Sequence, residues 1–165
     1  MSSELCTRCG LCCDGTLFGD VELTGRREAT RLEGLGLDVD ADDADVELLA
    51  LPCAGLRGRR CGVYPHRPRC CRTFECRLLQ EAQRGEISVE GALGRVDDAV
   101  AQVRQVTDLL TGLERGPRLH LPLAERVADA LEVVPGAPST HARRQRQLAT
   151  AMAALTRTIG TTFLE

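Results

Sequence analysis

Nine cysteines fall between residues 6 and 76, and none follows. They run Cys6-x2-Cys9-x2-Cys12-Cys13, then Cys53-x7-Cys61-x8-Cys70-Cys71-x4-Cys76. A Cys-x2-Cys step turns two sulfurs into one tight loop, at about the separation of two ligands on a single ion. Cys6, Cys9 and Cys12 make two such steps in succession. Thiolates at these spacings suit a soft or borderline metal, zinc or iron, with an iron–sulfur cluster as one form the iron can take.

The adjacent pair Cys12-Cys13 bears on how many centres there are. In an extended segment neighbouring side chains point to opposite sides, so one thiol can serve a first metal and the other a second. Two sites, or one binuclear site, are then easier to build than a single four-cysteine centre, and eight or nine thiols are about what two centres need. The alternative is that Cys13 is a free, reactive thiol beside the site. The run also differs from a bacterial ferredoxin loop: its fourth cysteine follows at once as Cys13, not after three residues and before a proline.

Charge is patterned around the second group. Arg57, Arg59, Arg60, Arg67, Arg69 and Arg72 lie between Cys53 and Cys76, Arg77 follows, and Glu75 is the one acid in that span. Four thiolates around a divalent ion are doubly negative, and arginines would offset that charge and hydrogen-bond the sulfurs. A phosphate- or RNA-facing patch is the rival reading. It ranks second because aromatic residues, the stacking platforms for bases, make up only 2% of the chain. His66 could ligate, but with thiols so plentiful it reads as a surface or supporting residue. His120 and His141 fall in the helical part and read as non-ligands.

These residues sit in a chain of 165 residues with a net charge of -3. That length holds one domain, or one small domain with an appendage. The acidic balance disfavours nucleic acid as a partner of the whole molecule. No apolar run is long enough to span a membrane, and Met1 to Cys6 lacks the basic and apolar regions of a signal peptide, so the expected location is cytoplasmic with no membrane partner. In a reducing compartment a dense, odd-numbered cysteine set favours metal or redox chemistry over a disulfide framework. All 21 basic residues are arginine, which reads most simply as a GC-rich genome.

The expected fold class is mainly α, with a small irregular, β-hairpin-containing, cysteine-rich metal-binding module over residues 1–85 and a helical segment over 86–165 packed on it. In the first part, Cys6 to Gly15 reads as a metal-binding loop and Val21 to Leu23 as a strand. Thr24 is the expected cap of a helix to Gly34, with Ala29 and Leu32 on one face. The acidic stretch Asp38 to Glu47 has Asp43 where a calcium loop needs Gly and Leu49 where it needs Glu, so it reads as a solvated loop. Leu48 to Leu51 and Arg60 to Tyr64 read as the two strands of a hairpin with Cys53 and Cys61 near its turn. Pro65 and Pro68 predict an extended segment, and a helix is expected from Cys71 to Arg84 with Gly85 as its stop.

In the second part, Val96, Val100, Val103, Val106 or Thr107, Leu110 and Leu113 recur at helical spacing. Gly116-Pro117 predicts a break, Pro122 the first turn of a second helix with Val127, Leu131 and Val134 inward, and Pro135 to Pro138 another break. Ser139 or Thr140 is the expected cap of a third helix, with Leu148, Ala151, Met152, Leu155 and Ile159 as its stripe. These stripes are expected to pack on one another and on the cysteine module; if exposed, the tail is the candidate surface for a protein partner.

Together, the opening Cys6-Thr7-Arg8-Cys9-Gly10-Leu11-Cys12-Cys13 and the stretch from Cys61 through Tyr64, Arg67-Pro68 and Cys71-Arg72-Thr73-Phe74-Glu75-Cys76 resemble the CxxCxxCC family of zinc- or iron-chelating proteins, the YkgJ-like cysteine-cluster proteins. The resemblance covers about residues 4–80. It implies metal chelation through eight cysteines, which fall here on Cys6, Cys9, Cys12, Cys13, Cys53, Cys61, Cys71 and Cys76. Cys70 is extra: it is either a spare thiol or displaces Cys71.

The leading expectation is a cytoplasmic metal-binding protein in which cysteines saturate zinc or iron. A second is an iron-dependent or iron–sulfur enzyme, or enzyme subunit, with an open metal position and a pocket beside the Cys6–Cys13 loop. No phosphate loop, Ser/His/Asp set or radical-initiating Cys-x3-Cys-x2-Cys accompanies it. A third is a protein-interaction adaptor with a structural metal.

Overall fold

The computed structural model describes residues 2–41, 45–113, 116, 118–132 and 138–164. Asp42, Asp43, Pro117, Val134, Pro135, Gly136 and Ala137, each part of an expectation above, lie outside these. Helix accounts for 57% and strand for 9%, so the fold is mainly α with small sheets, as its sequence predicts.

The longest helix, α5 (Val89–Thr111), is the spine. Ser88 caps it, its hydroxyl accepting the Gly91 amide at 3.0 Å. Ala92, Val96, Ala99 and Val100 on its N-terminal half and Val106 and Leu110 on its C-terminal half are buried. They feed two different interiors. The first joins Leu5 of α1 (Ser2–Cys9), Leu11, Leu78 and Leu79 of α4 (Arg77–Gln83), and Phe163 in the π turn that closes the chain. The second joins Leu123 and Val127 of α6 (Leu123–Ala130) with Leu148, Ala151, Leu155 and Ile159 of α7 (Ser139–Ile159). The described helical stripes therefore pack on one another and on the N-terminal part, while Leu119 between α5 and α6 is exposed. Neither Ser139 nor Thr140 caps α7, which follows Pro138 without a side-chain cap, and Pro122 stands just before α6 rather than in its first turn.

A third interior lies under a small antiparallel sheet. Strands β1 (Asp20–Glu22), β2 (Val39–Ala41) and β3 (Glu47–Ala50) are ordered β1-β3-β2, with Val21 and Val39 both opposite Leu49. Helix α2 (Arg26–Glu33) covers it, burying Ala29 and Leu32 against Leu23, Leu37 and Leu49.

Four sequence expectations change here. The stretch Leu48–Leu51 pairs with β1 and β2, not with Arg60–Tyr64: Leu49 carries the inward face between two valines, a choice made by the interior rather than by sequence neighbours. The hairpin near the cysteines is instead β4 (Leu56–Arg57) with β5 (Arg60–Cys61), and Tyr64–His66 forms a 3-10 turn. Part of the acidic stretch is strand β2, because Val39 supplies an inward side chain. Thr24 does not cap α2; the Glu28 carboxylate reaches back to accept the Thr24 amide at 2.8 Å.

Candidate metal centre

Cys6 and Cys9 sit one turn apart on α1, whose Leu5 is anchored in the first interior. The expected loop from Cys6 thus begins as a helix, and the loop proper starts at Gly10. Gly10 takes φ +74°, and a β-carbon there would stand 3.1 Å from the Arg59 backbone, so glycine is required both for conformation and for space. Successive turns from Gly10 carry Cys12 and Cys13. The Cys13 carbonyl accepts the Cys53 amide at 2.8 Å, which brings the first cysteine run to the start of the second.

The expected helix from Cys71 to Arg84 is broken in two. Helix α3 (Arg69–Thr73) ends at Phe74, whose ring meets Phe18 edge-on with centroids 5.2 Å apart. The chain runs extended through Phe74 to Cys76 and restarts as α4. The break delivers Cys76 to the N-cap of α4, beside the first interior. A continuous helix would hold Cys71 and Cys76 together on one rod; instead they go to different neighbours.

All nine cysteines are free thiols, with Cys6 exposed and the others half-buried. Their mutual electrostatics form two overlapping neighbourhoods that meet at Cys12 and Cys13. Burial pushes Cys9 from the ordinary 9.0 up to about 12, with Cys76 and Cys6 adding like-charge repulsion. Cys12 is raised by burial, then by Cys9, Cys76, Cys13 and Cys6. Burial also raises Cys6, exposed as that residue is overall, with Cys76 next. Burial raises Cys76, opposed by the Leu78 and Leu79 amides at the head of α4. In the other neighbourhood burial lifts Cys13 to about 11, followed by Cys53 and Cys61. Cys53 is raised by burial and by Cys61.

Cys70 and Cys71 are distinguished by their surroundings. They hydrogen-bond to each other, which lowers Cys70 and raises Cys71. Cys71 also feels Cys13 and Cys53, whereas Cys70 packs against the sheet interior and feels Glu28. Among the described residues, no three His, Cys, Asp or Glu side chains already stand at the spacing of ligands on one ion.

Of the arginines in the second run, Arg67 faces both neighbourhoods: its charge lowers Cys6 and Cys13. It is held by donating to the Tyr64 carbonyl at 3.2 Å and the Cys71 carbonyl at 3.4 Å, over the Tyr64 ring at 3.7 Å. Asp14 is a neighbour the spacing did not signal. Its carboxylate accepts the Thr16 amide at 2.9 Å and adds negative charge near Cys9 and Cys13. His66 is exposed at the end of the 3-10 turn.

A module of half-buried, reduced cysteines gathered into neighbourhoods and faced by a fixed arginine is a metal-chelating class of site. Residues 5–90 match the CxxCxxCC family model, described as "Putative zinc- or iron-chelating domain". The chain belongs to this family. No curated protein and no solved structure matches it. No helix among the described residues is long and apolar enough to cross a membrane.

Proposed function

We propose that the cysteine module holds two metal ions, or one binuclear cluster, of zinc or iron through two sets of four thiolates. One set is Cys6, Cys9, Cys12 and Cys76; the other is Cys13, Cys53, Cys61 and Cys71. The observation carrying this is that Cys12 and Cys13, adjacent in sequence, share thiol neighbours with different sets. Cys70 is left outside both sets: its electrostatic neighbours are Cys71 and Glu28, while its packing on the sheet interior is shared with Cys53. The donors fit: thiolate sulfur is the preferred ligand for both metals, and four sulfurs saturate a tetrahedral ion. A metal would draw neighbouring thiols into ligands and so couple its binding to the order of the module. When bound, it supplies cross-links between α1, the Cys53 turn, β5, α3 and the head of α4.

Saturated sets leave no position for substrate, which favours a metal-handling or structural role over iron enzymology. A cleft does lie beside α1, but none of its lining residues is a cysteine. Nine free thiols fit a reducing compartment, in keeping with a cytoplasmic location.

The test is metal and acid-labile sulfide analysis with a visible spectrum, on protein purified without oxygen, for the wild type, Cys12→Ser and Cys13→Ser. Two metals in the wild type, with one lost in each variant, is the expected result. Iron with sulfide identifies a cluster; colourless protein with zinc identifies two mononuclear centres. Metal-free protein with reduced thiols and an intact fold overturns the reading, as does a single metal lost from both variants.

A further inference from the structure

A cleft of about 490 Å³, lined by no cysteine, opens between α1, the β4–β5 hairpin and α5. Five arginines line it, Arg8, Arg57, Arg59, Arg60 and Arg104, against one acid, Asp97. This is a local concentration of charge in a chain with more acids than bases, 24 against 21. Several arginines elsewhere find carboxylates: Arg26 pairs with Glu47, Arg77 and Arg95 with Glu81, Arg118 with Asp129. Among the described residues, none of the five cleft arginines forms such an ion pair. Arg59 donates to the Arg8 carbonyl at 3.0 Å, and Arg57 to the Ala54 and Leu56 carbonyls at 2.7 and 3.0 Å. These bonds fix two guanidinium groups; the Asp14 carboxylate feels Arg59 without an ion pair to it, and Arg57 has no carboxylate partner among the described residues. The side chains of Arg8, Arg60 and Arg104 make no hydrogen bond or ion pair among the described residues.

Like charges around one concavity repel unless an anion lies between them. Guanidinium forks match phosphate oxygens two at a time, and several converging forks match a group with several phosphates. The volume is that of a small-molecule site. No aromatic side chain lines it, so it offers no platform for the bases of a single strand. Thr7 adds a hydroxyl, and Asp97 an acceptor for a donor at the ligand's uncharged end.

We infer that this cleft binds a small molecule bearing a di- or triphosphate group, held by Arg8, Arg60 and Arg104 with Arg57 and Arg59 positioned from the hairpin. None of its lining residues is a thiol: the site is built on α1, the β4–β5 hairpin and α5, with Thr7, Arg8 and Arg60 next in the chain to Cys6, Cys9 and Cys61.

Calorimetric titration of the metal-loaded full chain tests it, with inorganic pyrophosphate, tripolyphosphate and a nucleoside triphosphate as probes at low salt. One-to-one binding is expected, tightest for the species with the most phosphates and weakened by added salt. Arg8→Gln and Arg104→Gln are each expected to weaken it about tenfold. Asp97→Asn should strengthen binding of pyrophosphate and tripolyphosphate, which have no uncharged end for it to hold, an opposite sign that general loss of structure cannot produce. Arg95→Gln, an exposed arginine of α5 paired with Glu81, should leave it unchanged. A preference for the nucleoside triphosphate over tripolyphosphate would place the nucleoside at the Asp97 end; equal binding would mean that the phosphates alone are recognised. Metal content measured on each variant separates this result from the fate of the metal proposal. The inference is overturned if millimolar pyrophosphate and tripolyphosphate give no binding. It is likewise overturned if both arginine variants bind as the wild type does, or if a single-stranded RNA binds while the small probes do not.

Discussion

The helical half and the cysteine half of the molecule are held in different ways. Around Val106 and Leu110, α5, α6 and α7 bury a continuous set of Leu, Val, Ala and Ile side chains, with Val106, Leu110, Leu148 and Leu155 fully enclosed. Around the thiols the apolar support is divided: Cys9 and Cys76 lean on the first interior, and Cys53 and Cys70 on the sheet interior. The sheet interior is small, five buried residues headed by Leu23, Leu32 and Leu49. Beyond it the cysteine loops are half-buried and lean on single contacts such as the Cys53 amide on the Cys13 carbonyl. The helical half can be held by burial alone, at about 1.5–3 kcal/mol for each large side chain removed from water. The cysteine half carries buried thiols that repel one another once charged, a cost that a dication reverses.

Metal removal should break this comparison most sharply. Stripping a structural metal from a module of this kind costs on the order of 10–16 kcal/mol. Chelation should therefore abolish amide-exchange protection in residues 20–76 while most of the helical signal of α7 and the second half of α5 survives. Equal protection before and after chelation would show that the thiol region stands without metal.

Leu110→Ala attacks the other interior. Leu110 is 0% exposed, so the expected loss is about 2–5 kcal/mol. Thermal unfolding should move down accordingly while metal content stays that of the wild type. A parallel loss of metal would mean the two regions are not energetically separable.

The pH response of metal-free, reduced protein comes next. Cys9 and Cys13 titrate near 12 and 11 when folded, above the ordinary 9.0. Folded protein thus holds protons that the unfolded chain releases first, and this contribution to stability is complete below pH 9 and lost as the pH rises towards 12. Urea midpoints should fall over that window in the metal-free protein. Metal affinity should move the opposite way and weaken on acidification, because the ligands must deprotonate.

Cys70→Ser should be the mildest change. With Cys70 outside both proposed sets, metal content should match the wild type and stability should shift by less than about 1 kcal/mol. Cys71→Ser should lose one metal. The reverse outcome would exchange the two residues in the second set.

The sequence alone determined a good deal. The cysteine spacing marks residues 6–76 as the chemical part, and the 3.6-residue recurrence from Val96 to Leu113 and from Leu148 to Ile159 marks the helices, because both signals are local and periodic. Short strands are not local signals. The stretch Leu48–Leu51 reads as a strand from its composition, but its partners β1 and β2 were chosen by what Leu49 meets inside. The break at Phe74 was equally invisible, since it depends on a ring at Phe18 far back in the chain. Tertiary structure alone decided that Cys13 and Cys53 act on Cys71, that Glu28 acts on Cys70, and that Arg8, the hairpin arginines and Arg104 share one cleft. Spacing fixes how far a side chain can reach along its own segment. Which segments meet is settled by burial of leucines that the spacing of cysteines and arginines does not encode.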